Sequence, residues 1–271
     1  TLTVAADISA GGVLTLRGET GVDFDKDVTA DSIVVKAGNG TTYDQTITAV
    51  DTTQAVLTAS VANITLHGKS ILDDGGVTGI KVAVAGSLIL DADGAAGNIA
   101  IESAAALGLG DITTATNDTV LIETTNALTV DADITLGGEL TLRGETGVDF
   151  DADVTAESIT IKAGVGTTYN QTITAVNVND AILTTSDGDL VFHGKSVADD
   201  GGVAGGIRLA VVGGNLIFDA DVAGNIAVSS LAALSLGDIA ANTSDTVSIE
   251  TTNTLTVAAD ISAGGVLTLR G

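Results

Sequence analysis

The sequence holds no cysteine, methionine, proline or tryptophan, and only two tyrosines and four phenylalanines in 271 residues. Without cysteine there is no disulfide framework and no thiolate metal site, which is compatible with an extracellular setting. With so few aromatics, a core must be thin and built from layers of Val, Ile, Leu and Ala. Without proline, every backbone N–H past the first residue is available to a strand ladder. Positive charge is scarce as well: 10 Lys and Arg stand against 35 Asp and Glu, a net charge of −25. The balance argues against nucleic acid as a partner, because phosphates are held by clusters of Lys and Arg. It argues equally against an anionic membrane surface. No stretch approaches the ~18 uncharged apolar residues of a membrane helix, so no membrane insertion of this segment is expected. No signal peptide is visible and residue 1 is Thr, so the natural start is expected upstream and a missing leader says nothing about secretion.

What is present is glycine, 34 residues of it, and a 45% share of hydrophobic residues in regular alternation. That patterning separates the chain from acidic disordered sequences. It also repeats. "LTLRGETGVDFD" occurs at 14–25 and 140–151, "HGKS" at 67–70 and 193–196, and "SLILDAD" at 87–93 answers "NLIFDAD" at 215–221. "DTVLIETTNALTV" at 118–130 answers "DTVSIETTNTLTV" at 245–257. The offset is 126 for the first two pairs, 128 for the third and 127 for the last. The organisation is therefore repeat unit 1 over 1–126, repeat unit 2 over 127–253, and a third start over 254–271. Residues 254–271 are identical to 1–18, whereas 127–144 differ from 1–18 at five positions. The expected explanation is a window on a tandem array of a 253-residue double unit; an averaged or engineered repeat is the alternative.

A finer period lies inside each unit. In "LTVDADI", Leu128, Val130, Ala132 and Ile134 share one face, and Thr129, Asp131 and Asp133 the other. Strand starts recur at Leu88, Leu107, Leu128 and Val148, and on a second track at Ile99, Val120, Leu140 and Ile159. Copy two gives Leu216, Leu234 and Leu255 against Ile226, Val247 and Leu267. The steps of 19 to 21 residues predict an all-β chain folded as a parallel β-solenoid with about 20 residues per coil. Each coil is expected to hold two strands, giving about thirteen coils over ~60 Å at the inter-strand spacing. Leu88, Leu107 and Leu128 should form one internal row, and Ile99, Val120 and Leu140 another. Tandem β-sandwich domains are the alternative, since short strands at 8–12-residue spacing suit them too.

Segments reading "G-x-LTL-x-G", "GNIAI" and "NALTV" resemble the repeat shafts of filamentous haemagglutinin-type adhesins, autotransporter passengers and giant bacterial β-strand-repeat surface proteins. The resemblance implies a right-handed β-helix, secretion to a bacterial cell surface, and service as fibre, shaft or adhesin. It carries over no functional residue.

Candidate chemistry is thin. "HGKS" ends like a phosphate-binding loop, but the required glycine five residues earlier is Asn63 in copy one and Asp189 in copy two. His67 and His193 are therefore read as strand-end residues, with Lys69 and Lys195 solvated. Glycoside hydrolysis needs two carboxylates at a set distance, one with a raised pKa. Here the conspicuous carboxylates, and Arg17, Arg143 and Arg270, recur at repeat-equivalent positions, as scaffold residues do. No catalytic residue and no cofactor site is expected, and the chain is read as no enzyme. Thr-x-Thr stretches at 1–3, 46–48 and 172–174 do not recur in every coil and reflect β-propensity. The best chemical feature is the Asp-x-Asp series: Asp23/Asp25/Asp27, Asp91/Asp93, Asp131/Asp133, Asp149/Asp151/Asp153 and Asp219/Asp221. Asp131 and Asp151 are 20 apart, as are Asp133 and Asp153, so a 20-residue coil stacks them. Carboxylates ~5 Å apart repel by roughly 1 kcal/mol even in water. Asp131, Asp133, Asp151 and Asp153 are thus the weak Ca2+ candidates, calcium taking six to eight oxygens.

The functional expectation is a structural segment of a long extracellular fibre, sheath or adhesin shaft, a stiff filament whose partner is itself, head to tail. Lateral fibre contacts or surface glycans are further expected partners. The alternatives are a glycan- or cell-binding adhesin module using loops 68–79 and 194–206, and a carbohydrate-active β-helix enzyme.

Overall fold

The computed structural model describes residues 1–49, 55–73, 79–92, 97–175, 181–199, 207–220, 224–241 and 245–271, with backbone only at 73, 115–117 and 199. The described residues hold strands and turns and no helix, and the ladders between strands run parallel. Parallel ladders rule out the β-sandwich alternative, which is built from antiparallel sheets. The chain is a parallel β-solenoid. Its contacts divide it into two units, Thr1–Asn126 with Thr135–Glu139, and Ala127–Ile134 with Leu140–Gly271.

The first unit opens with a turn of three strands, Leu2–Val4, Ile8–Ser9 and Val13–Gly18. The next turn repeats them as Val22–Phe24, Val28–Ala30 and Ser32–Ala37. The third is Thr46–Ala49, Val56–Ala59 and Ile64–His67, and the fourth Ser70–Asp73, Ile80–Val84 and Ser87–Ala92. Strand Asn98–Ser103 then pairs with two strands of the preceding turn at once: Ile99 lies opposite Ile71, and Ile101 opposite Ile80. Two faces of the coil merge there into one.

Alternation explains why these segments become strands. In "SITIKA" at 158–163, Ile159, Ile161 and Ala163 are buried while Ser158, Thr160 and Lys162 face outward. One coil up, the same side chain type meets itself. In the second unit Leu128, Val148, Ile173, Val197, Ile226, Val247 and Leu267 stand opposite one another in one unbroken row. The first unit has the matching row Leu2, Val22, Ile47, Ile71, Ile99 and Val120. Such rows fill a narrow core with β-branched and aliphatic groups.

Three expectations need correction. The two units together hold about 11 turns of roughly 21 residues, rather than thirteen. The first four turns carry three strands rather than two, because elements such as Ile8–Ser9 are too short for alternation to announce them. Coil length also varies: the register steps from Leu14 to Ile33, Ile64 and Leu88 are 19, 31 and 24 residues. Finally, Leu88 faces Leu109 rather than Leu107, and Leu216 faces Leu236 rather than Leu234. A slide of two residues keeps every side chain on its face, so the hydrophobic pattern alone does not forbid it. An irregularity follows at once, Leu90 facing Ile112, and Gly110 allows it: a Cβ there would stand 2.9 Å from Ile89 Cγ1. The step from Ile99 to Val120 is as expected.

Candidate functional site

The outward rows carry whatever chemistry the chain has. The carboxylates come first. Asp133 Oδ1 accepts the N–H of Asp153 at 3.2 Å, and Asp153 Oδ1 accepts the N–H of Ile182 at 2.8 Å. In the first unit Asp27 Oδ1 likewise accepts the N–H of Val56 at 3.0 Å. Asp23 Oδ1 accepts the hydroxyl of Thr48 at 2.7 Å. Each of these bonds joins one coil to the next: Asp27, Asp133 and Asp153 serve the backbone, and Asp23 a threonine hydroxyl. Asp131 and Asp151 do fall on adjacent coils, since Val130 lies opposite Phe150. Among the described residues no group of three or more His, Cys, Asp or Glu is arranged to hold a metal ion. Asp93 and Asp221 lie outside the described residues, as do 74–78 and 200–206 of the two candidate binding loops.

"HGKS" leads from the strand Ile64–His67 into the strand Ser70–Asp73, with no helix to receive a phosphate. His67, however, does not end an empty strand. Its Nδ1 lies 2.9 Å from Asp91 Oδ2, and the Tyr43 ring sits on the imidazole at 4.5 Å between centroids, tilted by 33°. The second unit repeats this: His193 Nδ1 is 3.3 Å from Asp219 Oδ2, and Tyr169 lies 4.5 Å from His193 at 32°.

Register places more beside it. Arg17 stands opposite Lys36, Lys36 opposite His67, and His67 opposite Asp91, on four successive coils. In the second unit Lys162, His193 and Asp219 follow the same order, with Arg143 at the position equivalent to Arg17. Buried Ile33, Val35, Ile64 and Leu66 alternate with these residues, so the row points outward. Arg17 Nη2 donates to the carbonyls of Gly40 at 2.9 Å and Gly38 at 3.5 Å; Arg143 Nη2 donates to Gly166 at 3.1 Å and Gly164 at 3.4 Å. Gly38 has φ +141°, and a Cβ on it would lie 2.2 Å from the Thr42 carbonyl oxygen, so the tight loop that carries Tyr43 requires glycine. The result is a row of Arg, Lys and His flanked by one tyrosine, made twice. An arrangement of this kind can receive an anion.

Sequence reasoning missed this row. His67 lies 24 residues after Tyr43, one stretched coil away, so a 20-residue period does not bring them together. The available signal was that both tyrosines and both histidines of the chain recur at the same offset of 126. Arg143 also lies 3.9 Å from Glu145, and Arg270, the third equivalent of Arg17, 3.8 Å from Glu250.

No protein-family model, no curated protein and no solved structure matches the chain. Among the described residues, no helix is long and apolar enough to cross a membrane.

Proposed function

We propose that the chain is a structural segment of a long extracellular repetitive fibre, sheath or adhesin shaft, in which β-solenoid coils stack head to tail. The observation that carries the reading is the unequal burial of one repeated segment. At 127–144, Leu128, Val130, Leu140 and Leu142 are buried. At 254–271 the equivalent Leu267 is 41% exposed and Val257 52% exposed, and at 1–18 the equivalent Leu14 and Leu16 are only half-buried. The same strands thus bury all four groups in one place and leave several of them only partly covered in the other two. An open parallel strand edge also offers unpaired N–H and C=O groups to another chain. A further coil of the same kind, covalently continued or docked from an identical chain, satisfies both needs.

The role is mechanical. Inter-coil hydrogen bonds and aliphatic rows resist extension, and the net −25 keeps flanks hydrated and apart. The reading assigns the segment no reaction. Electron microscopy at rising protein concentration tests it. Filaments that lengthen with concentration, and that L267K abolishes without lowering the melting temperature of the dilute chain, support the reading. Discrete particles at every concentration count against docking of identical chains.

A further inference from the structure

We infer that the outward row Arg17–Lys36–His67, with Tyr43 beside it, and its counterpart Arg143–Lys162–His193 with Tyr169, is a binding site for a carboxylate-bearing polysaccharide, one site in each unit. The inference goes beyond the mechanical role and does not depend on it.

Scarcity is the first argument. The chain has 10 Lys and Arg, two His and two Tyr among 35 acidic residues. Both tyrosines, both histidines and four of the ten Lys and Arg gather on these two rows. An otherwise acidic chain thus brings an Arg, a Lys, a His and the one tyrosine of the unit together at one place in each unit.

Bonding is the second argument. Most of the row is engaged in folding its own loop, but Lys36 and Lys162 are not. Each is half-buried, each stands between a cationic and a histidine coil, and the ammonium of each makes no hydrogen bond or ion pair within the described residues. Arg17 uses only Nη2 on Gly38 and Gly40, leaving Nε and Nη1 from its five donors. His67 binds Asp91 through Nδ1 and keeps Nε2. These donors lie one coil apart, ~4.8 Å, in a line that an extended polysaccharide can follow. A carboxylate accepts from Lys36 and Arg17 together, and the tyrosine supplies a hydroxyl and an apolar ring edge for the sugar.

The obvious alternative is that the row only clamps the 38–44 loop. Lys36 separates the two, since it takes no part in the clamp. The experiment is titration of the chain and of the double variant Lys36→Gln/Lys162→Gln with polygalacturonate fragments. Neutral dextran and dextran sulfate serve as comparison probes, and melting curves are recorded for both proteins. Polygalacturonate is expected to bind at low salt with two sites per chain and to weaken as salt rises. The double variant should lose about tenfold or more in affinity with an unchanged melting temperature, the scale of one lost charge-assisted contact. No binding of polygalacturonate at low salt overturns the inference. So does equal binding by the double variant, or binding of neutral dextran as tight as that of polygalacturonate. Binding of dextran sulfate alone overturns the assignment to carboxylate.

Discussion

At the residue scale, the fold uses polar side chains as inter-coil fasteners. Asp153 both donates its N–H to Asp133 and accepts one from Ile182, so it ties three successive coils. Asp153→Ala should lower stability by about 1 kcal/mol, the usual net worth of such a bond, and Asp153→Asn, which keeps an acceptor oxygen, by less; urea unfolding reads the difference. Gly38→Ala and Gly164→Ala place a Cβ 2.2 Å from a carbonyl oxygen at positive φ. Each should cost about 1–3 kcal/mol, and each should also move the Tyr43 or Tyr169 ring, which its fluorescence reports. The Asp-x-Asp spacing was legible as stacking carboxylates. Their use as acceptors for backbone N–H was not, because coil corners have no periodicity from which a partner could be read. The Ca2+ expectation at Asp131, Asp133, Asp151 and Asp153 is settled by melting curves at fixed ionic strength. A melting temperature that climbs with Ca2+ concentration supports binding to the folded chain, and an unmoved curve leaves these carboxylates to the backbone and solvent.

At the element scale, rows of like residues are the unit of packing, and the two repeats offer a natural comparison. Leu66 lies opposite Leu90 in the first unit; at the equivalent places in the second, Phe192 lies opposite Phe218, their rings stacked at 5.1 Å and 9°. Phe192→Leu alone leaves a void beside Phe218, whereas Phe192→Leu/Phe218→Leu rebuilds the pair the first unit already uses. A double-mutant cycle should therefore show coupling of about 0.5–1.5 kcal/mol between the two rings; additive losses would mean that the stack contributes only its buried area. Corners are shared in the same way. Ser230 Oγ donates to the Ala232 carbonyl, which also accepts from Thr251 Oγ1 at 2.8 Å on the next coil, repeating Ser103, Ala105 and Thr124. The row Ile226–Val247–Leu267 was legible in the sequence because 21 and 20 residues separate its members, close to the expected period. The Leu88 row was misplaced by two because period-2 alternation is blind to even slides, and hydrogen bonds at the corner, not side-chain polarity, decide the register.

At the scale of the whole molecule, an aliphatic interior is combined with a surface that repels itself. Raising NaCl from about 0.01 M to about 1 M shortens the screening length from ~30 Å to ~3 Å, so the melting temperature should rise with salt; a fall would mean that favourable ion pairs outweigh the net −25. The solenoid was readable from repeats and alternation, whereas the merging of two faces at Asn98–Ser103 was not, since alternation gives a strand its faces but not the number of strands it pairs with. The central claim is that one coil of this chain is made to be covered by another of its kind. A fusion in which residue 271 is followed by a second residue 19 tests it directly, read by amide hydrogen exchange across 254–271. The account predicts that protection there rises to the level of 127–144, as the half-open row around Leu267 closes. Exchange unchanged from that of the single chain would contradict it.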